Sequence, residues 1–279
     1  MSKLIDSLES VGRQRLAIIG FPFDDNSSFM RGPAQAPPLI RQALHSDSSN
    51  PWTETGVDLG EPETFFDAGD LEVDSPALAF SEIENSISKL LSYSLKPISL
   101  GGDHSVTYPI IKSFGRQFPR LSLLHIDAHP DLYDDFQGNR FSHACPFARI
   151  MEEKLADRLV QVGIRTMTGH QRAQATRFGV EVHEMKHWSG SLALEFDSPV
   201  YLTIDMDALD PAFAPGVSHH EPGGLSTREV INLIQSVNAP LVGADIVEFN
   251  PIRDPLGITA MACAKLLKEV AAKMLDVRC

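Results

Sequence analysis

Four short segments concentrate carboxylates and imidazoles at spacings that suit metal binding. They are Gly101-Gly102-Asp103-His104-Ser105, Asp127-Ala128-His129-Pro130-Asp131, Asp205-Met206-Asp207-Ala208-Leu209-Asp210-Pro211, and the run 241–250, which contains Asp245 and ends in Glu248-Phe249-Asn250. In an extended chain, residues i, i+2 and i+4 share a face. Asp127, His129 and Asp131 therefore point one way, and Asp205 and Asp207 repeat the pattern. Gathering so many carboxylates in a partly dry pocket is costly in desolvation and repulsion. A divalent cation removes that cost. Mixed Asp and His donors suit Mn2+, with Zn2+, Co2+ or Fe2+ as alternatives, and disfavour Mg2+ or Ca2+. Six candidate ligands (His104, Asp127, His129, Asp131, Asp205 and Asp207) are too many for one ion with an open position. They suit two ions about 3.5–4 Å apart, bridged by carboxylates and a hydroxide. Singly, each motif has a plainer reading: a lone Asp-x-Asp is commonly a cap, and Asp-Ala-His-Pro-Asp could be a satisfied turn. Jointly they follow three apolar runs that should be parallel neighbours, and the metal reading prevails.

The elements that must position these residues alternate. Strands are expected at 16–20 (LAIIG), 97–100, 121–126 (LSLLHI), 159–163, 180–183, 200–204 (VYLTI) and 241–247. Helices are expected near 38–44, 79–95, 105–114, 146–155, 170–178, 226–237 and 258–275. Ser226 followed by Glu229 makes a capping box. Residues 46–64 and 185–191 look like loops. Near-continuous apolar strands alternating with helices indicate an α/β fold with a parallel sheet covered on both faces. Sites in such folds form beyond the carboxyl ends of the strands. The sequence shows no internal repeat and no linker, so one domain is expected over 1–279.

Composition narrows the functional classes. The chain has 279 residues, 43% of them hydrophobic, and a formal net charge of −13. That acidity argues against a nucleic-acid groove and against docking on anionic membranes, since both need clustered bases. It favours a small cationic partner. Cys145, Cys263 and Cys279 are odd in number and widely spaced, so no disulfide framework is expected. No apolar segment suits a signal peptide, and a cytoplasmic setting is expected.

The segments Gly101–Ser105, Asp127–Asp131 and Asp205–Pro211, with Ala214-Pro215-Gly216 and Gly223-Gly224-Leu225, resemble the ureohydrolase signatures. That family includes arginases, agmatinases, formimidoylglutamases and guanidinobutyrases. The similarity runs from about residue 16 to 275. Gly138-Asn139-Arg140-Phe141-Ser142-His143-Ala144 and Pro215-Gly216-Val217-Ser218-His219 are most similar to plant-type arginases. The resemblance implies a three-layer α/β/α domain, a pair of Mn2+ ions and hydrolysis of a guanidinium group to urea and an amine. It also implies a homo-oligomer, either trimer or hexamer. One ion would take His104, Asp127, Asp131 and Asp205. The other would take His129, Asp127, Asp205 and Asp207.

The implied chemistry is attack by a metal-bridging hydroxide, with Asp131 accepting a hydrogen bond from it. His143 matches the family's proton-shuttling histidine, and Glu248 the glutamate that meets the guanidinium. Asp103, Ser105 and Asp245 are candidates for holding ligands in place, and His125 is either such a residue or part of the core. His219 and His220 read as solvated loop residues near the mouth, and Cys145 as packing. Asn139 and Ser142 are the candidate neutral donors for a substrate carboxylate, and Arg140 could meet one directly. After the Gly163-Ile164-Arg165 strand end come Thr166, Met167 and Thr168, where animal arginases carry an acid for the substrate's α-amino group. No acid stands there, but plant-type arginases also lack it, so its absence does not exclude arginine, the first expected substrate, with agmatine the second. Guanidinobutyrate and formiminoglutamate follow, and a non-catalytic metal-binding subunit is the remaining class.

Overall fold

Among the described residues the strands form one sheet of eight, all parallel, in the order β2-β1-β3-β8-β7-β4-β5-β6. They are β1 Leu16–Gly20, β2 Phe65–Asp70, β3 Lys96–Leu100, β4 Ser122–Ile126, β5 Arg158–Ile164, β6 Glu181–Glu184, β7 Val200–Asp205 and β8 Leu241–Val247. The helices used below are α1 Ala36–Leu44, α2 Ala79–Ser92, α3 Thr107–Gln117, α4 Pro146–Glu152, α5 Gly169–Phe178, α6 Thr227–Ser236 and α7 Ile258–Leu275. This computed structural model describes Leu8, Gly12 and residues 15–61, 64–73 and 75–276. Cys279 and most of the stretch 1–15 lie outside the described residues. None of the described helices is long and apolar enough to cross a membrane.

The alternation of side chains along each strand divides the core into two layers. Leu16 and Ile18 of β1 join Leu124, Ile126, Leu202, Ile204, Ala244 and Ile246 under α1, α6 and α7. Ala17 and Ile19 face the other way, with Leu123, Leu159 and Tyr201, under α2, α3, α4 and α5. The parallel sheet covered on both faces is the one expected from the runs of apolar residues, and it makes the three-layer α/β/α architecture that the resemblance implies. Each fully buried Leu or Ile contributes about 1.5–3 kcal/mol, so the sheet is a stiff platform for whatever its ends carry.

Local signals explain most boundaries. Ser226 and Glu229 form the expected capping box at α6: Ser226 Oγ accepts the Glu229 amide and Glu229 Oε2 accepts the Ser226 amide. A second capping box, Thr168 with Gln171, opens α5, which ends at Gly179 in the left-handed region. Two expectations need correction. First, β2 reads Phe-Phe-Asp-Ala-Gly-Asp and lies at the sheet edge, half exposed. Its acids and glycine hide it from any apolar-run criterion. Arg41 of α1 ties it down, its Nε donating to Asp67 Oδ2 at 3.0 Å. Second, the stretch 185–191 is not simply an exposed loop. Met185 and Trp188 pack on the core, and Trp188 Nε1 donates to Glu229 Oε1 at 2.6 Å.

Candidate metal and catalytic site

The four central strands, β3, β8, β7 and β4 in that spatial order, carry the unusual residues at their carboxyl ends. His104 follows β3, Glu248 follows β8, Asp205 ends β7 with Asp207 just beyond, and Asp127 follows β4. The chain leaves β3, builds β4, β5 and β6 outward, then returns to fill the gap with β7 and β8. That reversal is the switch point at which such sheets hold their sites. The three clusters are therefore not direct neighbours throughout. β7 pairs with β4, but β8 stands between β7 and β3 and brings its own carboxylates, Asp245 and Glu248.

His104 is fully buried, and its Nδ1 faces three carboxylate oxygens. They belong to Asp127 at 3.2 Å, Asp131 at 3.1 Å and Asp205 at 3.1 Å. Its other nitrogen, Nε2, lies 3.0 Å from Thr203 Oγ1. Thr203 stands in register beside the buried Asp245 of β8, which accepts from Tyr201 Oη at 2.9 Å and Thr107 Oγ1 at 3.0 Å. With Thr203 Oγ1 as the only partner of the ring, the proton sits on Nε2 and is donated to Thr203. Nδ1 is then left as a bare lone pair, and it has no hydrogen-bond partner. A lone pair facing three carboxylates is repulsive unless a cation lies among them. The donor set thus fits a metal ion.

A second grouping shares Asp127. His129 Nδ1 lies 3.1 Å from Asp207 Oδ2 and 3.5 Å from Asp127 Oδ1. Burial works against charge on His104 and His129, yet the neighbouring carboxylates push both rings well above the ordinary imidazole value. Burial and adjacent acids push Asp205 well above the usual carboxylate range. All three shifts express one demand for positive charge. His125, by contrast, has no free lone pair to offer. Gln161 Nε2 donates to its Nδ1 at 3.0 Å, and its Nε2 is 2.7 Å from Asp127 Oδ2. Burial holds the ring below its ordinary value, so it is neutral and donates Nε2–H to Asp127. His125 therefore orients Asp127, while Phe147 of α4 stacks on it at 3.9 Å.

Glu248 forms the opposite wall. Its Oε1 accepts from the His104 amide at 2.9 Å and from His143 Nδ1 at 2.8 Å. Its Oε2 accepts no hydrogen bond among the described residues, and the side chain lines the cleft. Burial opposes the charge, but His143 beside it holds the carboxyl below its usual value. Conversely, burial disfavours a charged His143, and Glu248 prevails to push the ring up to about 9. One contact opposes that push: the Ser28 amide donates to His143 Nε2 at 3.2 Å, which requires a lone pair there. Asp131 and Glu248 adopt left-handed backbone conformations, with φ of 48° and 62°. Non-glycine residues take these at a cost of about 1–3 kcal/mol and are held there by their surroundings.

The loop 23–28 reaches the site over Gly102. The Asp103 amide donates to the Phe23 carbonyl at 2.9 Å, and a Cβ on Gly102 would sit 1.7 Å from that oxygen. Asp103 accepts from the Asn26 and Ser105 amides, so it pins the loop as well as capping the turn at His104.

Other expected residues fall elsewhere. Asn139 and Ser142 are not among the cleft-lining residues. Asn139 Nδ2 donates to Asn26 Oδ1 at 3.0 Å and its Oδ1 accepts the Phe141 amide at 2.8 Å, while Ser142 is buried behind His143. Arg140 pairs with Asp134 and Glu152. His220 is exposed and bonds to the Pro215 carbonyl. His219, expected in solvent, lines the cleft with its ring 5.4 Å from His143 and 5.9 Å from His129. Cys145 is buried and its thiol is pushed up to about 12, first by burial, which makes it a packing residue. Sequence reasoning missed Ser28, Thr203 and Gln171, and named Thr166 and Thr168 only for the acid they replace. Thr166, Thr168 and Gln171 line the cleft mouth, and among the described residues no Lys or Arg side chain lines it.

Comparison with known proteins places this geometry. The model of the arginase family matches residues 14–272. Arginase 1, mitochondrial, of Arabidopsis thaliana is 46% identical over 275 residues, covering 92% of this chain and 80% of that protein. An agmatinase of Bacillus cereus is 31% identical, covering 95% and 94%. The solved arginase of Medicago truncatula superposes with a TM-score of 0.87 at 43% identity, covering 98% of this chain and 91% of the other.

Proposed function

This chain belongs to the arginase family, and from that premise we propose that it hydrolyses arginine to ornithine and urea. The proposed cofactor is two Mn2+ ions held by His104, Asp127, His129, Asp131, Asp205 and Asp207. The observation that carries the reading is charge. The cleft joins a carboxylate–imidazole cluster to a buried glutamate, and among the described residues no Lys or Arg side chain lines it, which favours cationic occupants. Bound there, divalent ions supply the Lewis-acid field that brings the pKa of a water near neutrality. Glu248 receives the guanidinium through Oε2, the oxygen left open, in a charge-assisted contact. Its Oε1 at the same time holds the His143 ring by Nδ1–H. Asp131 accepts a hydrogen bond from the attacking water. His143 returns a proton to the departing amine, a role suited to an imidazole near neutral pH.

Agmatine is the second reading. It lacks the carboxylate of arginine, and the cleft mouth offers Thr166, Thr168 and Gln171 rather than an arginine or lysine to receive one. The identity to plant arginases supports the first reading over this one. The test offers arginine, agmatine, guanidinobutyrate and formiminoglutamate to Mn2+-loaded protein and measures urea and formamide. Ornithine and urea from arginine are expected, at a higher kcat/KM than for agmatine. Failure to release urea from any guanidino compound sinks the reading. We also propose a homo-oligomer, supported by exposed apolar side chains at Ile252, Leu256 and Ile258, and checked by light scattering.

A further inference from the structure

We propose that Ser28 is the cleft-side end of the proton path from His143. The inference rests on the hydrolytic reading above and adds a residue to it. His143 is held at both ring nitrogens. Nδ1 is fixed by Glu248 at 2.8 Å, and Nε2 is met by two groups of one residue, the Ser28 hydroxyl at 2.8 Å and the Ser28 amide at 3.2 Å. Ser28 also lines the cleft beside His143 and Glu248. Its position is not incidental. The Asn26 amide is held by Asp103 at 2.9 Å, and the Asn26 carbonyl accepts the His143 amide at 3.1 Å, so the loop and the His143 segment are tied together. Phe29, the next residue, lies 5.6 Å from the His219 ring.

The transfer balances through the hydroxyl. The proton on Nε2 passes to Ser28 Oγ as the hydroxyl's own proton passes to the departing amine nitrogen. One N–H and one O–H bond break, and one O–H and one N–H bond form. The imidazole ends neutral, the serine is regenerated and the amine leaves protonated. Once neutral, Nε2 accepts from the Ser28 amide, a donor with no use for a protonated ring. The backbone thus favours loss of the proton, while Glu248 favours its uptake, and the residue between them is set to pass it on.

The test compares Ser28→Thr with Ser28→Val in the metal-loaded enzyme, using whichever guanidino compound the wild type turns over best. The two variants share a shape and differ in the hydroxyl. Wild-type turnover checks the hydrolytic reading itself, and the variants report on Ser28 alone. Ser28→Val should lower kcat by about 100-fold or more with KM and metal content near wild type, a size typical of lost proton transfer. Ser28→Thr should recover most of the rate. In a His143→Asn background, Ser28→Val should cost less than about twofold, because residues acting through one another are not additive. Equal rates for the Thr and Val variants, or losses that multiply in the double variant, would overturn the proposal.

Discussion

Two clusters of charged side chains invite comparison. One is the cleft, where Asp127, Asp131, Asp205, Asp207 and Glu248 have backbone amides and imidazoles beside them but, among the described residues, no Lys or Arg. The other lies where α6 and α7 meet the loop before β2. There Glu269 is buried and accepts the Glu54 amide at 3.0 Å and Gln235 Nε2 at 3.2 Å, beside the Lys265 ammonium. Glu54 itself pairs with Arg228 through two contacts of 2.6 and 2.7 Å. The chemistry of the acids is the same in both places. The difference is that the second cluster draws its counter-charges, Lys265 and Arg228, from the chain. The first brings none, and its rings are pushed toward protonation for that reason. An unbalanced buried cluster is a site waiting for ions, whereas a balanced one is part of the scaffold.

The largest expected effect lies in the cleft. Asp207→Asn should drop metal content from two ions toward one and lower kcat by at least about 100-fold, the upper range for loss of a mere outer partner. The same change should leave the metal-free protein as stable as wild type, because it relieves repulsion among Asp127, Asp205 and Asp207. Metal analysis and thermal melts read both halves. A variant with two ions and full rate would place the site wrongly. Glu269→Gln should behave in the opposite sense. It leaves Lys265 without its partner and disturbs a buried set of donors, at about 2 kcal/mol, while metal content stays at two. If the melt falls as far for Asp207→Asn as for Glu269→Gln in metal-free protein, the contrast between the clusters is void.

How much of this was legible depends on how local each feature is. Asp127, His129 and Asp131 stand within five residues after an apolar strand, so both the strand and its cluster could be read together. The same holds for Asp205 and Asp207. Ser28 could not be found this way, because its partner His143 lies 115 residues further along. Thr203 sits inside β7 with the look of an ordinary strand residue. Its meaning comes only from β3 and β8 placing His104 and Asp245 beside it. The expectation for Asn139 and Ser142 illustrates the reverse case. Their types suit a carboxylate, but the loop spends Asn139's side chain on Asn26 and on the Phe141 amide. His219 lines the cleft because the Pro215–Gly224 loop folds back over it, which no local pattern reveals. β2 was hidden because an edge strand does not need a continuous apolar run.

Asp245→Asn sharpens the comparison by acting on the cleft from below without removing a ligand. Asp245 is fully buried, and burial pushes its carboxyl up. If Thr203 donates to it and thereby accepts from His104, an amide in its place can turn an NH2 toward Thr203 and reverse the chain. His104 would then lose the partner that keeps Nδ1 bare. Metal affinity should fall by about tenfold, within the range for partners of a metal-bound histidine. KM measured at saturating metal should not change. Calorimetric titration with Mn2+ gives the affinity, and an unchanged value would mean that Thr203 fixes His104 alone.

The smallest effect belongs to the balanced cluster and concerns acid. Hydrogen bonding to Arg228 is the main cause that lowers Glu54 to about 2 from a usual 4.5, against a modest opposing contribution from burial. A depressed carboxyl contributes stability that is present above its unfolded value and is lost as pH falls through its folded value. The Glu54–Arg228 contribution should therefore be complete above about pH 4.5 and gone near pH 2. Because Glu54 is about one-third exposed, water screens the pair and the effect stays small. Metal binding requires deprotonated carboxylates and neutral imidazoles, so the cleft should shed its ions at higher pH, before this cluster titrates. Urea midpoints for wild type and Arg228→Ala, measured from pH 6 down to 2 alongside metal retention, separate the two events. The gap between the two proteins should hold while metal is lost and close only below pH 4.5. A gap that closes together with metal release would show the two clusters to be coupled rather than independent.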